Sequence, residues 1–237
     1  YETGEHTYAN ELWPSVPGDS LTLLDKGFLA AGVLIPLARE GHNRHWLIPA
    51  KSNCRWRVVK RLGRRDLLIE MTVSRQARAK DPSLPETWVM RAITYQRKGF
   101  RPRTLLTSLL DPEKYPADEI VALYHERWEL ELGYDEIKTE MLDREESLRS
   151  KSPAGVTQEL WGVLLAYNLV RLEMERVAAE AGVPPTRISF AAALHQVINE
   201  FMWLQVTSPG AIPSRLRDLR ARLKRFILPP RRSERRY

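Results

Sequence analysis

The periodicity of the chain changes along its length, and that change restricts the folds open to it more than any other feature. From His45 to about Leu110, short β-favouring runs follow one another: Trp46-Leu47-Ile48, Trp56 to Val59, Leu67 to Val73 and Trp88 to Ile93. Loops rich in Gly, Arg, Pro and Ser separate them. This reads as an antiparallel meander, with Arg103 to Leu110 as a final strand. Beyond it the pattern is helical. Pro116 opens a long helix to about Leu142, with Asp118 and Glu119 in the first turn, where carboxylates suit the helix dipole. Ser152-Pro153 starts a second helix, stopped after Ala181 by Gly182-Val183-Pro184-Pro185; Phe190 to Leu204 and Pro213 to Phe226 are the third and fourth. Ahead of the β block, Leu21 to Asp25 reads as a short buried strand ending in a carboxylate. Lys26-Gly27-Phe28 is a turn, and Leu29 to Arg39 a helix. The expected class is α/β. The strand Leu21 to Asp25 is expected to lie beside neighbours that the chain lacks.

Composition narrows the function classes. Hydrophobic residues make up 43% and charged residues 28%, which excludes a mostly disordered or fibrous chain. The one cysteine, Cys54, allows no internal disulfide, so a reducing, cytoplasmic setting is expected. The apolar run Leu160 to Val170 is too short to span a bilayer, so no membrane partner is expected. Charge is uneven. Arg55 to Arg103 holds 14 basic and 4 acidic residues, Asp111 to Glu146 holds 4 basic and 13 acidic, and Ser214 to Tyr237 holds 10 basic and 2 acidic. An acidic helical region between two basic segments fits a polyanionic partner with a cation among the carboxylates, although charge runs are also ordinary solvated surface.

Within the acidic region, Tyr124, Arg127, Glu131 and Lys138 are spaced by 3, 4 and 7 residues. On an unbroken α-helix they would fall within roughly 60° of one another. Such a stripe suits a phosphodiester and a metal; it equally suits an exposed face with an Arg127–Glu131 ion pair. His42-x-x-His45 is an isolated pair in a loop and does not make a zinc set.

The residues themselves say more than their spacing. The run LYHERWELELGYDEIKTEML, followed by LRSKSP and VTQELWGVLLAYNLVR, resembles the DDE transposases of the bacterial insertion-sequence IS-four type. Their signature Y-x2-R-x3-E-x6-K is matched by Tyr124, Arg127, Glu131 and Lys138. The upstream LLDKGF resembles that family's segment around its second aspartate, matched by Asp25, and the tail PPRRSERRY resembles its C-terminal end.

The resemblance implies an RNase H-like catalytic core, N-terminally truncated, with an inserted antiparallel β region and a helical C-terminal part. The divisions expected are residues 1–43 (partial core with the second aspartate), 44–110 (inserted β region) and 111–237 (helical return with the glutamate and a basic tail). It implies that Asp25 and Glu131 are catalytic carboxylates and metal ligands, for Mg²⁺ or Mn²⁺, in cleavage and strand transfer at transposon ends. Tyr124, Arg127 and Lys138 would grip phosphates, and Arg149 and Lys151 in the LRSKSP loop would contact DNA. One of Trp46, Trp56 and Trp88 could stack on a flipped base; each also reads as core. Trp161, Leu164, Leu165, Tyr167 and Leu169 read as core packing. The implied partners are double-stranded DNA, as terminal inverted repeats and target, and a second copy in a homodimer on DNA. The implied location is a bacterial cytoplasm, at the nucleoid when DNA-bound. The family's first aspartate has no counterpart: Asp19 is too close to Asp25 and sits in a Pro-Gly-Asp-Ser turn. The chain, which opens on Tyr1, is therefore expected to be a fragment that is inactive alone. The other reading is a non-catalytic DNA-binding remnant of a decayed insertion element.

Overall fold

The computed structural model describes residues 5–97, 99–142 and 148–230. The RRSERRY tail (231–237) lies outside them. The chain divides into two compact units, residues 1–127 and 128–237.

The first unit is built on one six-stranded sheet. Its strands are β1 (Ser20–Leu23), β2 (Arg44–Pro49), β3 (Arg57–Gly63), β4 (Asp66–Thr72), β5 (Thr87–Tyr95) and β6 (Arg103–Thr107), in the order β1-β2-β6-β5-β4-β3. Strands β3 to β6 form the antiparallel meander read from the sequence. Strand β1 differs from the expectation. It pairs in parallel with β2, Leu21 opposite His45 and Leu23 opposite Leu47, so it has a partner within the chain. Helix α2 (Ala31–Arg39) makes the crossover between them, as parallel neighbours require.

Side chains alternate across the sheet, and the alternation sorts the core into two layers. Trp46 and Ile48 of β2, Ile69 of β4, Met90 and Ala92 of β5 and Leu106 of β6 pack with α2 and with α1 (Glu5–Leu12). Leu47, Ile93 and Leu105 point the other way, against Ile120 and Tyr124 of α4 (Ala117–Glu126). Helix α3 (Arg75–Lys80) caps the β4–β5 connection, with Ser74 Oγ accepting from Ala77 N–H.

The long helix expected from Pro116 to Leu142 is interrupted. Helix α4 ends at Glu126 with Arg127 as its C-cap, α5 runs Trp128–Asp135, and Glu136–Met141 is a π-helical turn. No proline or glycine marks the break at Arg127, so the periodicity could not show it.

In the second unit, α6 (Pro153–Ala181) is capped by Ser152, whose Oγ accepts from Gly155 N–H. It ends at Gly182, whose φ of 65° is the left-handed conformation that glycine takes without penalty. Helix α7 (Phe190–Leu204) and helix α8 (Ile212–Leu223) pack on its C-terminal half, around Met174, Val177, Leu194 and Leu223. Its N-terminal half is not covered by them: Trp161, Leu165 and Leu169 are exposed rather than core, and Leu164 and Tyr167 are half-buried. Among the described residues, no helix is long and apolar enough to cross a membrane.

Candidate active site

Asp25 lies two residues past the end of β1. The ladder to β2 continues one residue past the strand, Leu24 N–H donating to Leu47 O, and then the chain turns into a short 3-10 helix, Lys26–Phe28. Asp25 caps that turn: Oδ1 accepts from Gly27 N–H at 2.9 Å. Lys51, just beyond β2, fastens the turn from the other side, its ammonium donating to the carbonyls of Gly27 at 3.3 Å and Leu29 at 3.4 Å. The carboxylate is exposed and lines a cleft of about 960 Å³ with Lys26, Lys51, Trp56 and Arg103. The cleft lies at the C-terminal ends of the parallel strands β1 and β2, where open α/β sheets place their ligands.

Tyr124 and Arg127 belong to the same unit. Tyr124 is buried on the α4 side of the sheet, and the Arg127 guanidinium carbon lies 5.5 Å from its ring centroid. Burial pushes the Tyr124 phenol above its usual range; the charge and hydrogen bond of Arg127 act downward, and the negative charge of Asp25 acts upward. The Tyr124 phenol thus feels the charges of both Arg127 and Asp25. His125, beside them, packs edge-on against Tyr95 at 5.3 Å. Burial and then the charges of Arg97 and Arg103 hold its imidazole below the usual value.

The second unit carries the rest. Glu131 lies half-buried in the first turn of α5, and Lys138 is exposed on the π-helical turn. That turn is anchored to α6 through Glu136, which accepts from Tyr167 Oη at 3.0 Å and from Arg171. Burial raises the Glu136 carboxyl, against the pull of Arg171 and Tyr167. A Cβ at Gly133 would stand 3.1 Å from the Tyr167 hydroxyl, a tight contact to which the phenol would have to yield by a few tenths of an ångström. Since Lys138 sits on a π-turn, seven residues no longer return it to the α-helical stripe of Glu131. Arg149 and Lys151 are exposed on a loop shaped by Glu159, whose carboxylate accepts from the N–H groups of Arg149 at 3.1 Å and Ser150 at 3.0 Å.

Residues 2–169, well over half of the chain, match the family described as the transposase DDE domain. The chain belongs to the DDE transposase family. It is 41% identical over 232 residues to the transposase InsG for insertion sequence element IS4 of Escherichia coli (strain K12), covering 98% of this chain and 52% of that protein. A second relative, the putative transposase InsZ of the same organism, is 40% identical over 53 residues, 22% of this chain and 18% of its own length. The chain spans about half the length of InsG. Family membership implies an RNase H-like core, in keeping with the mixed α/β architecture.

The structure also separates the three tryptophans of the transposase β region. Trp46 is 2% exposed and packs on Trp88 at 5.5 Å, a core pair. Trp56 alone of the three lines the Asp25 cleft. Lys51 and Glu159 act on backbone atoms brought close only by folding, and no sequence signal marks them. Asp25 offers an exposed carboxylate whose Oδ1 accepts one backbone bond, an oxygen donor of the kind a hard divalent cation takes, and Cys54 also lines the cleft. Among the described residues, no three His, Cys, Asp or Glu side chains gather into a metal-holding group.

Proposed function

We propose that this chain is the catalytic part of a transposase that cleaves DNA at transposon ends and transfers the strand to a target, with Asp25 and Glu131 as ligands for Mg²⁺ or, in its place, Mn²⁺. The observation that carries the reading is the Asp25 carboxylate, exposed at the end of β1 in a cleft rimmed by Lys26, Lys51 and Arg103. When bound, the metal ions activate the attacking oxygen and stabilise the leaving one. The chain's own residues position the DNA. Arg127 offers a planar fork for bidentate phosphate contact, held over the Tyr124 ring, and Lys138 acts as a point charge. Arg149 and Lys151 contact the backbone from the Glu159-tied loop. Trp56 presents an aromatic face where an unpaired base could stack. The β region between Asp25 and Glu131 is an insertion in the core, and the working unit is a homodimer on paired ends.

Two carboxylates of the triad are carried by these residues. Asp19 does not supply the third: it sits at φ 50° in the turn before β1, its carboxylate accepting from Asn43 Nδ2 at 2.8 Å. The 237-residue chain alone is therefore expected not to cut DNA. The test is a cleavage assay with Mg²⁺ on a terminal-repeat duplex, using both this chain and the complete gene product. The complete product should cut, Glu131→Gln should abolish cutting, and DNA binding should survive. Cutting by the 237-residue chain alone would overturn the incomplete-triad reading, and binding without cutting by the complete product would make it a DNA-binding remnant.

A further inference from the structure

The β3–β4 hairpin is a strongly basic surface that the catalytic reading leaves unused. Strand β3 is the outer strand of the sheet, and its first five residues are exposed. From Arg55 to Arg65 there are six basic residues and no acidic one. Arg57 pairs with Glu70 at 2.9 Å. Among the described residues, no carboxylate lies within ion-pair distance of Lys60, Arg61, Arg64 or Arg65. The adjoining acid, Asp66, is turned inward and taken up by Arg91.

Charges on an edge strand also deter sheet-to-sheet pairing, and that accounts for Lys60 and Arg61. It does not account for the tip. Arg65 has φ 130°, a conformation that glycine adopts freely and other residues avoid. Its N–H donates to Gly63 O at 3.0 Å, and its carbonyl accepts from Thr94 N–H at 2.8 Å, so the sheet enforces the conformation. Glycine would satisfy both bonds without strain. An arginine at this position, with no partner for its guanidinium among the described residues, points to a ligand outside the chain.

We infer that the β3–β4 hairpin, through Lys60, Arg61, Arg64 and Arg65, docks on the phosphodiester backbone of duplex DNA. The inference rests on the DNA-handling reading above and adds a surface to it. Strands β1 and β3 are opposite edges of the sheet, so the hairpin lies five strand spacings, about 24 Å, from the strand leading to Asp25. Duplex DNA covers that span in about seven base pairs.

The test is the salt dependence of binding to a labelled duplex of about 30 base pairs, followed by anisotropy with the full chain between about 50 and 200 mM salt. Arg65→Gly should leave the melting midpoint no lower than that of the parent, and should reduce the slope of log K against log salt by about one. The triple change Lys60→Gln, Arg61→Gln and Arg64→Gln should reduce it by about three. Unchanged slopes in variants of a chain that binds would overturn the hairpin inference alone. A fall in melting midpoint that tracks the loss of binding in Arg65→Gly would assign Arg65 a structural role and overturn it too. No binding by the parent chain would overturn both this inference and the DNA reading.

Discussion

Arg91 is the side chain whose loss should be felt most widely in the first unit. It is 0% exposed in the middle of β5. Its Nε and Nη2 donate to the two oxygens of Asp66 at 2.8 and 2.6 Å, a bidentate pair. Its Nη1 reaches the carbonyls of Leu109 at 3.5 Å, Asp111 at 3.4 Å and Tyr115 at 2.7 Å, and so holds the loop that leads into α4. Asp66→Ala strips both charge-assisted bonds and leaves the guanidinium buried without its counter-ion, at a cost of about 3–5 kcal/mol. Against a stability of about 5–15 kcal/mol this is severe, and it corresponds to a fall of roughly 10–20 °C in melting midpoint for a unit of this size. The double change Arg91→Met with Asp66→Leu removes both charges. What remains is the loss of a donor to three loop carbonyls, about 1–3 kcal/mol. Urea unfolding followed by tryptophan fluorescence should therefore find the double variant more stable than Asp66→Ala. A double variant at the sum of the single losses, or an Asp66→Ala cost below about 1 kcal/mol, would refute the reasoning.

Two further outcomes follow from the same bonding pattern. Burial alone would raise the Glu173 carboxyl, but hydrogen bonds from Arg220 and Arg176 outweigh it and hold the folded value below the ordinary 4.5. That stabilisation is present above the ordinary value and is lost as pH falls through the lowered one; helix circular dichroism should show Glu173→Gln less stable than the parent at neutral pH, with the gap closing in acid. Lys51→Met removes two bonds to the turn after Asp25 and, being half-exposed, should cost about 1 kcal/mol in urea unfolding.

What could be read in the sequence was local. Ser152 and Gly182 bracket α6 because a side-chain cap and a left-handed glycine are short-range signals, and α7 follows its apolar period to the residue. The β runs lie where they were expected because strand preference is also local. The pairing of β1 with β2 is not: it depends on a crossover that brings Leu21 beside His45, and nothing within either strand encodes it. Helices α1 and α3 have 8 and 6 residues, too few for a period to show. Trp161, Leu165 and Leu169 misled because apolar residues surround that part of α6, so no face identifies itself as the buried one. At the site, spacing alone left an ion-paired stripe and a phosphate grip equally open. The family motif singled out Asp25 and Glu131, and the fold then supplied Lys51, Arg103 and Glu159, whose roles depend on where distant backbone lies.

The proposal that Asp25 and Glu131 are both ligands for divalent cations is tested most directly by iron-directed backbone cleavage, which needs no catalytic turnover. Fe²⁺ with peroxide and ascorbate should cut the chain next to both residues. Excess Mg²⁺ should suppress both cuts, Asp25→Asn should weaken the cut beside residue 25, and Glu131→Gln should weaken the cut beside residue 131. Cutting beside one residue only, or cuts that neither Mg²⁺ nor the matching substitution weakens, would contradict the proposal.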